Sequence, residues 1–146
     1  TSKEDLVLLK IASLYHDSGF LVTYKGHEEA GCKIVREELP AFEFNASQID
    51  SICEMIMATR IPQTPINHLG EIICDADLDY LGRPDFFTIS NSLFLEMKER
   101  GWVSNERDWN IKQVAFFKAH YYFTSSSKKL REKEKQKHLE MIEAMI

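Results

Sequence analysis

Three groups of residues in this chain carry side chains able to do chemistry: the doublet His16-Asp17, the run His27-Glu28-Glu29, and the carboxylates Asp75, Asp77 and Asp79. Imidazole together with carboxylate is the ligand set of a borderline transition metal such as Mn, Fe, Co, Ni or Zn. Taken one at a time the signals are unspecific, because adjacent His-Asp arises by chance and a histidine at a helix end is commonly a cap. Position sharpens them. His16 and Asp17 follow directly on an apolar helical face made of Val7, Leu8, Ile11, Leu14 and Tyr15. Asp77 has Ile73, Tyr80 and Leu81 at i−4, i+3 and i+4, which turns its carboxylate toward the core side of its helix. Asp75, beside Glu71, Ile72, Leu78 and Asp79, is expected to be more exposed, and Asp79 to face solvent. A buried carboxylate is costly unless it is paired or bound to a metal, and no Lys or Arg lies within this stretch.

Helices must position these groups. The first apolar face predicts a helix ending near His16-Asp17, with Ser18-Gly19 as its stop. Phe20 to Tyr24 is a short apolar stretch compatible with extended backbone. A second helix is expected from His27 to Leu39, ahead of Pro40, and Asn45-x-x-Gln48 has the form of a capping box opening a third. The two prolines between Arg60 and Pro65 require a loop. Further helices are predicted over Asn67–Leu81, broken by Gly82 and Pro84, over Ile89–Arg100, from Glu106 onward, and from Ser126 to the end. Trp102, Trp109, Phe116 and Phe117 are expected in the core, His68 and His138 on the surface. No segment alternates apolar and polar residues long enough to make a strand, so the fold class is all-α.

Composition narrows the function. A formal net charge of −5 argues against a general nucleic-acid binder, though not against a small anionic substrate held by a metal. The basic run Lys128, Lys129, Arg131, Lys133, Lys135 and Lys137 is diluted by Glu132 and Glu134 and is expected to be a solvated helix face. No apolar run approaches the roughly 18 residues that span a bilayer. Cys32, Cys53 and Cys74 form no CxxC pair and lie among apolar neighbours, as expected of reduced thiols in a cytoplasmic protein.

Taken in order, LYHDSGF, GHEEAG, ATRIPQTP and ICDADLDYLGRPDFF, followed by HYYFT and KQKHL, resemble the HD superfamily of metal-dependent phosphohydrolases, and more narrowly its small bacterial predicted-hydrolase branch. The resemblance implies a compact helical HD-domain bundle, with residues 1–146 as a single domain. It also implies a divalent metal (Mn, Fe, Co, Ni, Zn or Mg) held by His16, Asp17 and Asp77, with Asp75 as the alternative to Asp77. His27 matches an additional family histidine, and Glu28 would serve as general base. Lys25 and Arg60 would bind phosphate. The substrate would be a small phosphomonoester or phosphodiester, with nucleotides favoured. The family's first histidine lies upstream of the doublet, whereas no histidine precedes His16 here. Loss of an N-terminal helix is the expected reason, and it would leave an apolar patch at Leu8, Ile11 and Tyr15 through which copies self-associate. The competing reading is a degenerate HD domain that binds a nucleotide or a partner without turnover.

Overall fold

Ser2 starts the first helix. Its hydroxyl accepts from the Asp5 N–H at 3.0 Å, and the Asp5 carboxylate accepts from the Ser2 N–H at 3.2 Å. This reciprocal pair satisfies two of the donors that a helix start leaves open. The computed structural model describes residues 2–146, and every regular element among them is a helix. The all-α expectation therefore holds. The described chain divides into two compact units, the first ending at Asp77 and the second running from Leu78 to Ile146.

The first unit contains α1 (Lys3–Tyr15), α2 (His27–Glu38), α3 (Ala46–Ala58) and α4 (His68–Asp77). Its core gathers Leu8 and Ala12 from α1, Val35 from α2, Ile49, Ile52 and Ile56 from α3, and Ile73 from α4. The Asn45–Gln48 capping box opens α3 as expected, with both bonds at 2.9 Å. The apolar face of α1 is rotated from the one expected. Val7 and Leu14 are 47% and 79% exposed, Leu8 and Ala12 are buried, and Ile11 and Tyr15 pack partly against the core. The predicted patch at Leu8, Ile11 and Tyr15 is thus covered, because these residues are the stripe that α1 turns inward.

The stretch from Ser18 to Leu21 is a 3-10 turn rather than extended backbone. Its tightness comes from Gly19, where an added Cβ would lie 1.7 Å from the His27 carbonyl oxygen. Only glycine lets the turn press against the start of α2 this closely. Gly26, with φ 71°, supplies the left-handed residue at the entry to α2.

In the second unit, a 3-10 turn (Asp79–Gly82) stands where a continuation of the fourth helix was predicted. It is followed by α5 (Phe86–Glu99), α6 (Glu106–Ala119) and α7 (Ser125–Ala144). Leu78, Leu81, Phe86, Phe117, Leu139 and Ile142 form the core. Several side chains lie opposite to expectation. His138 is buried, with Nδ1 donating to the Leu81 carbonyl at 2.8 Å and its ring stacked on Phe86 at 4.8 Å. Lys135 is buried as well. Its Nζ donates to the His120 carbonyl at 2.7 Å, and burial pushes its amine below the ordinary lysine range. Asp79 accepts from Arg131 of α7 at 2.7 Å instead of facing solvent alone. The basic run is therefore only partly a solvated face. Trp102 is exposed, whereas Trp109 and Phe116 are half-buried and Phe117 is buried.

Gly19→Ala should force the turn away from α2 and destabilise the protein by about 1–3 kcal/mol, the usual cost of overpacking. Thermal melting checks this, and an unchanged midpoint would refute the close approach.

Candidate metal centre

His16 occupies the C-terminal cap of α1. Its Nδ1 lies 2.6 Å from the Ser13 carbonyl oxygen, which can only accept, so Nδ1 carries the hydrogen. Such a backbone bond is how a ligating histidine is fixed in orientation and tautomer, leaving the lone pair of the neutral ring on Nε2. Here Nε2 faces two carboxylates, Asp77 Oδ1 at 3.1 Å and Asp17 Oδ2 at 3.3 Å. Both carboxylates favour positive charge at this nitrogen. The hydrogen bond to Asp77 is the main reason that the His16 pKa is raised to about 9, against the opposing effect of burial.

The second oxygen of Asp17 continues the chain of contacts. Oδ1 lies 3.6 Å from His27 Nε2, and His27 Nδ1 in turn lies 3.3 Å from Oε2 of Glu28, which is buried. Partial desolvation and the charge of Asp77 hold the Asp17 carboxyl above the usual range, although His16 and His27 pull it down. His27 sits at the N-terminus of α2 and stacks on Phe20, with ring centroids 3.8 Å apart. The sequence reading missed this use of Phe20. Its only signal was an aromatic residue one position after the glycine of the turn.

The donor set fits a divalent metal. At metal–ligand distances of about 2.0–2.2 Å, neighbouring donors of one shell stand roughly 3.0–3.5 Å apart. The two contacts of His16 Nε2 lie in that range. Among the described residues, however, no three His, Cys, Asp or Glu side chains form a ready-made metal shell. The donors stand as a linked series of pairs.

The structure brings together His16, Asp17, Asp77, His27 and Glu28. Asp75 departs from expectation: it is the buried aspartate of α4, whereas the Asp77 side chain is 26% exposed and faces His16. Asp77 shares the face of Ile73 one turn earlier, and at the helix end that face meets His16. Arg60 is exposed and bonds Glu29 at 2.8 Å, and Lys25 is exposed in the turn before α2.

The first unit is all-helical and sets His16 beside the carboxylates of Asp17 and Asp77. The HD domain family matches residues 1–79, more than half of the chain, and the chain belongs to this family of the metal-dependent phosphohydrolase superfamily. No curated protein and no solved structure matched it.

Because the folded pKa of His16 lies above its ordinary 6.5, the His16–Asp77 pair stabilises the metal-free protein fully below that value. The contribution is lost as pH rises through about 9. In Asp77→Asn, an NMR titration should find His16 most of the way back to an ordinary histidine pKa. A value still near 9 in the variant would show that Asp77 is not what holds the proton.

Proposed function

We propose that this chain is a metal-dependent phosphohydrolase acting on a small phosphomonoester or phosphodiester, a nucleotide being the favoured substrate. The observation that carries the reading is His16, whose Nδ1 is tied to a backbone carbonyl while Nε2 meets the carboxylates of Asp17 and Asp77. These three residues would hold one divalent ion, among Mn, Fe, Co, Ni, Zn and Mg. When bound, such an ion supplies Lewis acidity, acidifying water and offsetting charge on the phosphoryl group.

The remaining work falls to the protein. Glu28, with Oε2 3.3 Å from His27 Nδ1, is the buried carboxylate placed to orient that imidazole. His27 then holds or moves a proton at Nε2, beside Asp17. Glu28 is better placed to position His27 than to act as the base itself. Lys25, exposed in the turn just before His27, can meet a phosphate oxygen. Arg60 would do so only after leaving Glu29. The free thiols fit a cytoplasmic setting, and no helix among the described residues is long and apolar enough to cross a membrane.

One observation favours the alternative, a domain that binds a phosphorylated ligand or partner without turnover. Among the described residues, two imidazoles, His16 and His27, stand with the carboxylates of the site.

Asp77→Asn should lower Mn or Co affinity by more than the roughly 10–100-fold that loss of an outer partner costs. Asp75→Asn should retain affinity and instead lower the melting temperature, since Asp75 is buried away from solvent. Calorimetric titration and melting of both variants test the ligand assignment, and the reverse ranking would transfer it to Asp75.

Metal must also displace the proton on His16 Nε2, so affinity should rise with pH until it levels near 9. A flat profile from neutral pH upward would sink this competition. With metal loaded, hydrolysis of a generic phosphodiester should fall at least about 100-fold in His27→Gln, within the usual range for loss of acid–base catalysis, while metal content stays unchanged. Loss of metal in that variant would make His27 a ligand. No turnover by the metal-loaded wild type would favour the binding module.

A further inference from the structure

Two of the three cysteines face each other across the first unit. Cys32 lies in the second turn of α2 and Cys53 in the middle of α3. Each thiol donates to the other residue's backbone carbonyl: Cys32 Sγ to Cys53 O at 3.6 Å, and Cys53 Sγ to Cys32 O at 3.8 Å. Reciprocal bonds of this kind require each sulfur to reach the other's backbone, so the residues are opposed side by side on packed helices. A disulfide needs such an opposition, with Cβ atoms about 3.5–4.5 Å apart. The third thiol is separate: Cys74 is fully buried and donates to the Ala58 carbonyl at 3.1 Å.

We propose that Cys32 and Cys53 form a redox modification site, oxidised by a hydroperoxide to an intramolecular disulfide that ties α2 to α3. Cys32 is half-buried and offers the approach, since Cys53 is only 5% exposed. Arg36, one turn after Cys32 on α2, places positive charge beside both sulfurs, which favours loss of one proton from the pair. The pair thus gives up its first proton readily, while the second stays on the partner sulfur. In the first step the thiolate takes the terminal oxygen of the hydroperoxide, breaking the O–O bond to give a sulfenic acid and an alcohol (water, from hydrogen peroxide). The second thiol then attacks the sulfenic sulfur, losing its proton and expelling hydroxide, which leaves as water. Two thiols are oxidised by two electrons, and one hydroperoxide is reduced. A thiol reductant reverses the bond by exchange.

The site stands apart from the metal reading, since neither sulfur belongs to the His16–Asp17–Asp77 group. The two are connected through α2, which begins with His27 and Glu28 and would be pinned one turn further on, and through α3, which packs on α1 and α4.

The test treats the full chain with hydrogen peroxide, alkylates the remaining thiols, and maps the peptides by mass spectrometry. The expected product is a monomer in which Cys32 and Cys53 are joined, Cys74 is alkylated, and dithiothreitol restores three free thiols. Cys32→Ser and Cys53→Ser should each prevent the cross-link, and Cys74→Ser should not. Recovery of Cys32 and Cys53 as separate alkylated or sulfinic peptides would overturn the proposal. A link to Cys74 or between two chains would also overturn it.

Discussion

A carboxylate at the last residue of a helix sits where the helix is least hospitable to it. Asp77 ends α4, so the backbone carbonyls of the final turn add their partial negative charge to its own. No local residue relieves this. The relief comes from 61 positions earlier in the chain, where His16 at the C-terminal end of α1 presents a ring nitrogen at 3.1 Å. The imidazolium is favoured twice, by the carboxylate and by its own helix end. Much of the first unit follows from bringing these two termini together. α1 must stop at Tyr15, the turn through Gly19 must be tight enough to return the chain to α2, and α4 must end at Asp77. The arrangement favours positive charge at its centre, where His16 meets the carboxylate of Asp77.

The second unit uses buried polar groups differently. Lys135 and His138 are buried, and each has a nitrogen committed to a backbone carbonyl. The Ser90 hydroxyl donates to Gln113 at 2.7 Å and accepts from Trp109 Nε1 at 3.2 Å. These groups are paired in place and leave no ion to be completed, as structural polar networks in a core must be. In the first unit, two carboxylates compete for one ring nitrogen. His16 and His138 therefore show the same side chain in two roles, set by what surrounds the second nitrogen. For His138 the surroundings are the Phe86 and Phe87 rings. For His16 they are two carboxylates.

The sequence was most legible where the determining interaction is local. The Asn45–Gln48 box, the end of α1 before His16-Asp17 and the start of α2 at His27 all depend on residues within a turn of one another, and each lies where it was expected. Long-range pairing was the weak point. Asp79 looked unpaired because its partner, Arg131, is 52 residues away. His138 and Lys135 looked solvated because their acceptors are carbonyls of distant segments. The α4 boundary was placed too late because Tyr80 and Leu81 continue the apolar spacing through a turn of a different helical type. The ranking of Asp75 and Asp77 shows a finer limit. Neighbour counting put Asp77 on the core side, whereas the structure half-exposes it toward His16 and buries Asp75. Spacing set Asp77 on the face of Ile73, where it meets His16, but did not show that Asp75 is buried as well.

The division of the chain between Asp77 and Leu78 also has a meaning in time. During synthesis the chain emerges from its N-terminal side, and domains generally fold as units in that order. Every polar contact of the metal centre, from Ser13 to Asp77, lies within the first unit. The second unit, by contrast, closes its core on Leu139 and Ile142, near its far end. On the ribosome, then, the residues of the candidate site are all made while α7 has still to be synthesised, and their contacts can form before the second unit has a core.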